Sequence, residues 1–343
     1  MSEVRKSIIQ TIIFGSIGAI ILYFLWQSLA SSYAKECALK GISEADCSLF
    51  DRLISDFKSA NFGWLAVMCI AYLLSCAFRA LRWMMLLRPM GYNPRFDNSF
   101  YTVMIGYFAN LGLPRMGEFI RAGLFSKYED VPYEKVLGTI VVGRIIDVLC
   151  LLSLLLIGFG LHSDTMLQYF EENLNLDITK LVTLGAIGLL GLGVAIYTYR
   201  RLSNTNNTSN WFVKVKKIVD GFVEGLSSLK SVQNMPLFIL YSVGIWFLYV
   251  GMHWIGFLSF GPTAHLSFSE SLLCFDFAAL GMVFPSPGGM GTYHAMLIES
   301  LLILDVSEIS AFSIAMITFF TINIFCNILF GLISLVVLPM VNR

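Results

Sequence analysis

The chain has few charged residues and none of the short catalytic motifs of soluble enzymes. Asp, Glu, Lys and Arg make up 13% of its 343 residues, against about 25% in an ordinary soluble domain. It contains no Walker-type phosphate loop, His-Glu-x-x-His motif, Cys-x-x-Cys pair or nucleophile elbow. Hydrophobic residues reach 57%. We therefore predict an all-α integral membrane protein with no catalytic residues, no cofactor, no metal site and no nucleic-acid partner.

Six apolar runs are long enough to cross a bilayer, which takes roughly 20 residues of helix. They are 7–29, 62–87, 136–161, 181–199, 236–260 and 311–341. Each is predicted to be a transmembrane helix.

Two further apolar stretches, 96–125 and 267–304, are interrupted by glycine and proline. The first break reads Gly-Leu-Pro-Arg-Met-Gly over 112–117, and the second reads Pro-Ser-Pro-Gly-Gly-Met-Gly over 285–291. Because proline lacks an amide donor and glycine lets the backbone reverse, each break should end a helix. Arms this short predict two re-entrant hairpins instead of full spans.

Basic residues collect on one side of the predicted spans, which indicates the orientation. The segment 200–230 is rich in Lys and Arg, whereas acidic residues dominate 36–56 and 164–177. The positive-inside pattern then places both termini in the cytoplasm of a multi-pass protein of the plasma (inner) membrane. Cys37 and Cys47 fall outside the cell, where an oxidised pair can form. The other five cysteines lie in apolar runs and are expected to pack as small hydrophobes.

The two halves of the chain, 1–165 and 166–343, resemble each other. Each is predicted to hold two spans, a broken hairpin and one more span, and an odd number of spans requires the second half to be inverted. Met-Gly-Glu-Phe at 116–119 matches Met-Gly-Thr-Tyr at 290–293. Inverted repeats around broken helices are typical of transporters, although a chance similarity is the alternative. The segment 203–233 is predicted to be cytoplasmic, either as a basic amphipathic helix on the membrane or as a connecting helix packed on the protein.

Five ionisable residues of the first hairpin and the third span form the main candidate site: Arg115, Glu118, Arg121, Arg144 and Asp147. Ionisable groups at membrane depth are costly and usually face a cavity or a partner. A spacing of three places Arg144 beside Asp147, and likewise Glu118 beside Arg121. Three arginines against two acids leave one guanidinium for a phosphate-bearing headgroup. Alternatively, the charges neutralise each other and only hold the hairpin against the third span.

The second hairpin supplies the other candidates, which are Asp276 in an apolar arm and the tip residues Pro287, Gly288, Gly289 and Gly291. Asp276 is interpreted either as a proton or cation site or as the cap of a neighbouring helix.

Three further ionisable residues are interpreted structurally. His253, alone in the fifth span, is expected to be hydrogen-bonded within the protein. Arg79 and Arg82 lie near the inner end of the second span, where both side chains are expected to extend towards water.

The motif Leu-Pro-Arg-Met-Gly-Glu-Phe-Ile-Arg at 113–121, Arg144 to Asp147, and the glycine-rich motif at 285–291 resemble the lysylphosphatidylglycerol synthase transmembrane-region family. The resemblance extends from about the first span to the last. In two-part members this region is a flippase for aminoacylated phosphatidylglycerol, which a separate soluble synthase domain makes. The resemblance implies a flippase-like protein without that domain. It does not imply which lipid is carried, because other members are associated with glycolipids and isoprenoid lipids.

Two other functions stay open beside lipid translocation. A membrane enzyme could use Glu118 or Asp276 as acid or base on a lipid headgroup, and a scaffold could bind a separate lipid synthase. The expected partners are membrane lipids, with a homo-oligomer and a separate synthase as further candidates.

Overall fold

The computed structural model describes residues 47–112, 116–174, 231–283 and 289–342, together with individual helical residues between 23 and 38. All regular structure in these ranges is helical. Four segments are long and apolar enough to cross a membrane, and they coincide with the predicted spans that begin at 62, 136, 236 and 311: Phe62–Met90, Tyr133–Leu161, Met235–Leu258 and Glu308–Met340. The predicted spans 7–29 and 181–199 and the segment 203–233 fall almost wholly outside the described residues.

We number the described α-helices in chain order. They are α1 (Leu49–Ser59), α2 (Phe62–Leu87), α3 (Phe96–Gly112), α4 (Gly117–Glu129), α5 (Tyr133–Leu161), α6 (Ser163–Leu174), α7 (Met235–Leu258), α8 (Phe268–Val283), α9 (Thr292–Ile303), α10 (Glu308–Phe319) and α11 (Asn327–Met340). A π-helical segment, Phe320–Cys326, joins α10 to α11 within the last span.

Short polar side chains start several of these helices. The Asn61 side chain accepts hydrogen bonds from the first amides of α2, Asn234 does the same for α7, and Ser307 does so for α10. Such caps satisfy amides that have no partner inside the helix. Apolar length and local capping therefore account for where these spans begin.

Each of the two broken stretches forms a pair of packed helices, and their re-entrant insertion into the membrane stays a prediction. Helix α3 packs against α4, and α8 packs against α9. The first hairpin continues to Glu129, beyond the predicted limit of 125. The breaks themselves, 113–115 and 284–288, lie outside the part of the chain that the structure describes.

The arms of each hairpin touch backbone to backbone at a glycine. A Cβ atom on Gly117 would overlap the carbonyl oxygen of Gly106, and one on Gly281 would lie 2.5 Å from the carbonyl oxygen of Thr292. In both hairpins the two residues that meet are eleven positions apart. Each hairpin is followed by an aspartate with positive φ, Asp130 or Asp305. These are local similarities, and the division into two inverted repeats stays a prediction.

Helices α2, α4 and α5 pack together and enclose the site described below. Between α2 and α4, the rings of Trp83 and Phe125 lie 4.3 Å apart in the buried core. Cys37 and Cys47 form a disulfide, as their predicted position outside the cell allows. The five cysteines in apolar helices are free.

Candidate functional site

Asp147 forms two buried ion pairs with arginines of α2. It lies at the middle of α5, fourteen residues from either end. Arg79 Nη1 donates to Asp147 Oδ2 at 2.7 Å, and Arg82 Nη2 donates to Asp147 Oδ1 at 2.8 Å. Arg79, Arg82 and Asp147 are only 7%, 2% and 6% exposed. Because Arg79 and Arg82 are three residues apart, one face of α2 presents both to the same carboxylate.

The expectation that Arg79 and Arg82 extend towards water is therefore wrong. An arginine that extends to the interface keeps its guanidinium hydrated, but neighbouring helices cover both of these groups. The predicted ion pair between Arg144 and Asp147 is present, but it is longer than the two that Asp147 forms with α2. Their closest atoms, Arg144 Nη1 and Asp147 Oδ2, are 3.9 Å apart. The spacing of residues along one helix indicates contacts within that helix and not those between helices.

Arg144 pairs more closely with Glu118 of the first hairpin. Its guanidinium donates to Glu118 Oε1 through Nε, and Nη2 also forms an ion pair with that oxygen. The two side chains are 49% and 34% exposed, so this pair lies at the edge of the packed helices. Glu118 belongs to the first turn of α4, where a carboxylate is favoured by the helix dipole. The pair connects the hairpin to α5, and the predicted Glu118–Arg121 pair is not formed.

Arg121 has no carboxylate partner among the described residues. Its guanidinium carbon lies 3.7 Å from the centre of the Trp83 ring, which is a cation–π contact. The Trp83 indole donates in turn to Thr139 Oγ1 at 2.9 Å, so α5 orients the ring on which Arg121 rests. The fifth residue of the predicted cluster, Arg115, lies in the range 113–115, outside the described residues.

These side chains line a cavity between α2, α4 and α5. It holds about 300 Å³ of empty space, part of it open to the exterior, and its wall includes Arg79, Arg82, Arg121, Arg144, Asp147 and Trp83. Three of the arginines keep a buried nitrogen without a hydrogen-bond partner in the described chain: Arg79 Nε, Arg82 Nη1 and Arg121 Nε. Buried polar groups normally have partners, so water or a ligand is expected to supply an acceptor for these nitrogens.

A series of polar contacts leads from this cavity to the second hairpin. Arg79 Nη2 donates to the Tyr249 hydroxyl at 3.1 Å. One turn further along α7, His253 Nδ1 lies 3.1 Å from the Tyr249 carbonyl, and its Nε2 lies 3.1 Å from the Tyr293 hydroxyl of α9. The prediction that His253 is hydrogen-bonded within the protein is confirmed.

Asp276 lies apart from the arginine cavity. It is fully buried in α8, and neither carboxylate oxygen has a partner among the described residues. It packs against Gly158 of α5, which is eleven residues beyond Asp147 and so about 16 Å away along the helix. No described backbone amide donates to Asp276, and the broken helix ends that it could cap lie outside the described residues, so its interpretation as a helix cap also stays a prediction. Its role as a proton or cation site stays a prediction.

The tip of the second hairpin is described in part. Gly289 and Gly291 have φ angles of 79° and 83°, a region that residues with a side chain rarely adopt. This conformation gives both a structural role at the start of α9. Pro287 and Gly288 belong to the undescribed range 284–288.

Most of the chain matches one known protein family. Residues 47–329 match the family model described as the lysylphosphatidylglycerol synthase TM region. The chain belongs to this family. It is similar to two UPF0104 membrane proteins of Methanocaldococcus jannaschii. MJ1595 is 27% identical over 267 residues, which cover 73% of this chain and 77% of the relative. MJ1078 is 25% identical over 221 residues, which cover 64% and 88%. No solved structure matches the chain.

The region shared with the lysylphosphatidylglycerol synthase TM family contains every residue of the arginine cavity. Sequence reasoning identified Arg121, Arg144 and Asp147 but missed Arg79, Arg82 and Trp83 as members of the site. One signal could have found two of them. Arg79 and Arg82 share one face of an apolar span, and Asp147 is the only acidic residue in 136–161. Two basic groups at membrane depth require a counter-charge at a similar depth.

We expect Gly158→Ala to destabilise the protein by about 1–3 kcal/mol, because the added methyl group would overlap Asp276 Oδ2. Thermal unfolding in detergent measures the effect. Gly138→Ala in the same helix is the control, since a Cβ at Gly138 has no neighbour within 4 Å. Combining Gly158→Ala with Asp276→Ala removes the overlap and should restore part of the loss. If the double variant loses as much stability as the two single variants together, Gly158 does not pack against Asp276.

Proposed function

We propose that this protein moves a lipid with an anionic headgroup between the two leaflets of its membrane. The observation that carries the proposal is the cavity beside Asp147, midway along a helix long enough to span a bilayer. Three buried guanidinium nitrogens there have no acceptor among the described residues. Membership of the lysylphosphatidylglycerol synthase TM family supports a role in lipid chemistry at the membrane.

The position of the cavity suits translocation. A charged headgroup that crosses the apolar core loses its hydration, and its energy is lowest where fixed charges replace water. Arginines provide planar donors that match phosphate oxygens. The Glu118–Arg144 pair lies at the more exposed edge of the site, where a headgroup would enter or leave.

The two broken hairpins supply the elements that could alternate. We propose that they are equivalent units of an inverted repeat, as their matching backbone contacts suggest. The contacts from Arg79 through Tyr249 and His253 to Tyr293 would connect the lipid site to the second hairpin. A disulfide forms in an oxidising compartment. The Cys37–Cys47 bond therefore supports a position of this segment outside the cell, as the proposed orientation with both termini in the cytoplasm requires.

Reconstitution into liposomes tests the function directly. Fluorescent lipids that differ only in headgroup are placed in both leaflets, and a membrane-impermeant quencher reports their exchange. We expect faster exchange of anionic lipids in the presence of the protein than in empty liposomes, with little effect on a zwitterionic lipid. Equal exchange in both preparations for every headgroup would refute the proposal.

The same samples separate the two alternative functions. A change of headgroup mass after incubation with a lipid extract would indicate a membrane enzyme. A stable partner protein in a mild-detergent pull-down, without lipid exchange, would indicate a scaffold.

We expect Arg121→Gln to fold normally but to lose stabilisation by anionic lipid. Arg121 has no acidic partner in the described chain, so its removal leaves no carboxylate unpaired. In the wild type, lipid at about a hundred times its Kd should stabilise the folded protein by about 2.7 kcal/mol. Thermal unfolding with and without anionic lipid measures the difference.

Lys135→Gln is the control for this variant, because it removes an exposed positive charge that does not line the cavity. This variant should keep the stabilisation by lipid. If Arg121→Gln also keeps it, the cavity is not the headgroup site.

A further inference from the structure

The charges in the interior of the cavity do not balance. Arg79, Arg82 and Arg121 contribute three positive charges, and Asp147 contributes one negative charge. At the edge, Arg144 and Glu118 neutralise each other. Among the described residues, the interior therefore keeps a surplus of two positive charges. Buried charges without a counter-charge are strongly unfavourable, so the surplus calls for an anionic ligand of matching charge.

The unpartnered donors agree with this count. One nitrogen of each interior arginine, namely Arg79 Nε, Arg82 Nη1 and Arg121 Nε, has no acceptor in the described chain. A phosphate monoester carries nearly two negative charges at neutral pH and presents three strong acceptor oxygens. A phosphate diester carries one charge and has only two such oxygens. The monoester thus matches the site both in charge and in number of acceptors.

The walls of the cavity fit a small anion at the end of a larger molecule. Much of the cavity's empty space is open to the exterior, so only a small terminal group reaches the buried donors. The Trp83 ring contacts one face of the Arg121 guanidinium, and the Trp83 indole is fixed by its hydrogen bond to Thr139. The donors are therefore positioned before any ligand arrives, which lowers the entropic cost of binding.

We propose that the cavity selects a phosphate monoester, bound as a dianion by Arg79, Arg82 and Arg121. This inference rests on the proposed function, since it names the headgroup class for the same site. The monoester can be the terminal phosphate of a lipid or free phosphate, and both present the same oxygens. Asp147 keeps Arg79 and Arg82 side by side and limits the surplus to two charges.

Binding measurements on the full chain in nanodiscs of zwitterionic phosphatidylcholine test the selection. The probes are phosphatidic acid as a monoester lipid, phosphatidylglycerol with the same acyl chains as a diester lipid, and inorganic phosphate. Loss of a charged hydrogen bond corresponds to at least about a tenfold change in Kd. We therefore expect phosphatidic acid to bind at least about tenfold more tightly than phosphatidylglycerol.

Arg121→Gln reduces the surplus from two charges to one and removes one of the three donors, so phosphatidic acid should bind more weakly than to the wild type and no more tightly than phosphatidylglycerol. Lys135→Gln removes a positive charge away from the cavity and should preserve the preference for phosphatidic acid. Thermal unfolding of each variant without ligand confirms that it is folded.

The outcomes separate this inference from the proposed function. Equal Kd values for both lipids in the wild type would overturn the selection of a monoester and leave anionic lipid transport intact. Inorganic phosphate that binds as tightly as phosphatidic acid would support the monoester site but argue against a lipid substrate. Absence of binding for all three probes would overturn both.

Discussion

Asp147→Asn is expected to destabilise the protein by about 3–5 kcal/mol, because it leaves two buried arginines without their counter-charge. Arg79 and Arg82 both donate to this single carboxylate, and water that enters the cavity could replace its hydrogen bonds but not its charge. An asparagine side chain keeps one acceptor oxygen but no charge. Unfolding in detergent, followed by intrinsic fluorescence or by aggregation on heating, measures the loss.

Asp97→Asn is the control for this prediction. Asp97 pairs with Arg95 at a more exposed position, where an ion pair contributes at most about 1 kcal/mol. Replacing Arg82 by Met in the Asp147→Asn background removes one of the two stranded charges and should recover part of the stability. If Asp147→Asn costs no more than Asp97→Asn, Asp147 is not the counter-charge of the two arginines.

Gly117→Ala is expected to displace the first hairpin and to cost about 3 kcal/mol. The new methyl group would overlap the carbonyl oxygen of Gly106 and lie 2.7 Å from Asn110 Oδ1. Backbone atoms cannot swing away as a side chain can, so α3 and α4 must separate. The Asn110 side chain also accepts the Gly117 amide hydrogen bond at 2.8 Å, and a shift of α4 would break this contact.

Gly123→Ala in the same helix should instead stabilise the protein. A Cβ at Gly123 has no neighbour within 4 Å, and alanine favours a helix over glycine by about 1 kcal/mol. Because α4 also carries Glu118 and Arg121, Gly117→Ala should weaken lipid binding as well. If the Gly117→Ala and Gly123→Ala variants are equally stable, the arms of the hairpin do not cross at Gly117.

The membrane helices and the hairpins could be predicted from the sequence because their signals are local. A run of apolar residues is a span by its length alone, and four predicted spans coincide with described helices. Proline and glycine end a helix through the backbone of the same few residues, so the breaks in 96–125 and 267–304 were visible without any tertiary contact. The motifs at 113–121 and 285–291 led to the correct family for the same reason.

The partners of the charged residues could not be predicted in this way. Spacing along the chain suggested Arg144 with Asp147 and Glu118 with Arg121, since neighbours three apart share a helix face. The structure contains the first pair at 3.9 Å, but its short contacts join Arg144 to Glu118, and Asp147 to Arg79 and Arg82 of another helix. In an apolar surrounding a charge pairs with whatever opposite charge the neighbouring helix presents at its depth, and helix packing decides which one that is.

The sequence by itself thus determined the class of protein, the family, the four described spans and the two pairs of helices in the broken stretches. Each of these depends on the composition or the backbone of one short segment. Only the tertiary structure decided which arginines are neutralised and which nitrogens have no acceptor among the described residues. Arg79 and Arg82 belong to a span that reads as plain apolar helix, and Arg121 belongs to a hairpin. They line one cavity because α2, α4 and α5 pack together, and side chains from separate segments acquire a common function only through such packing.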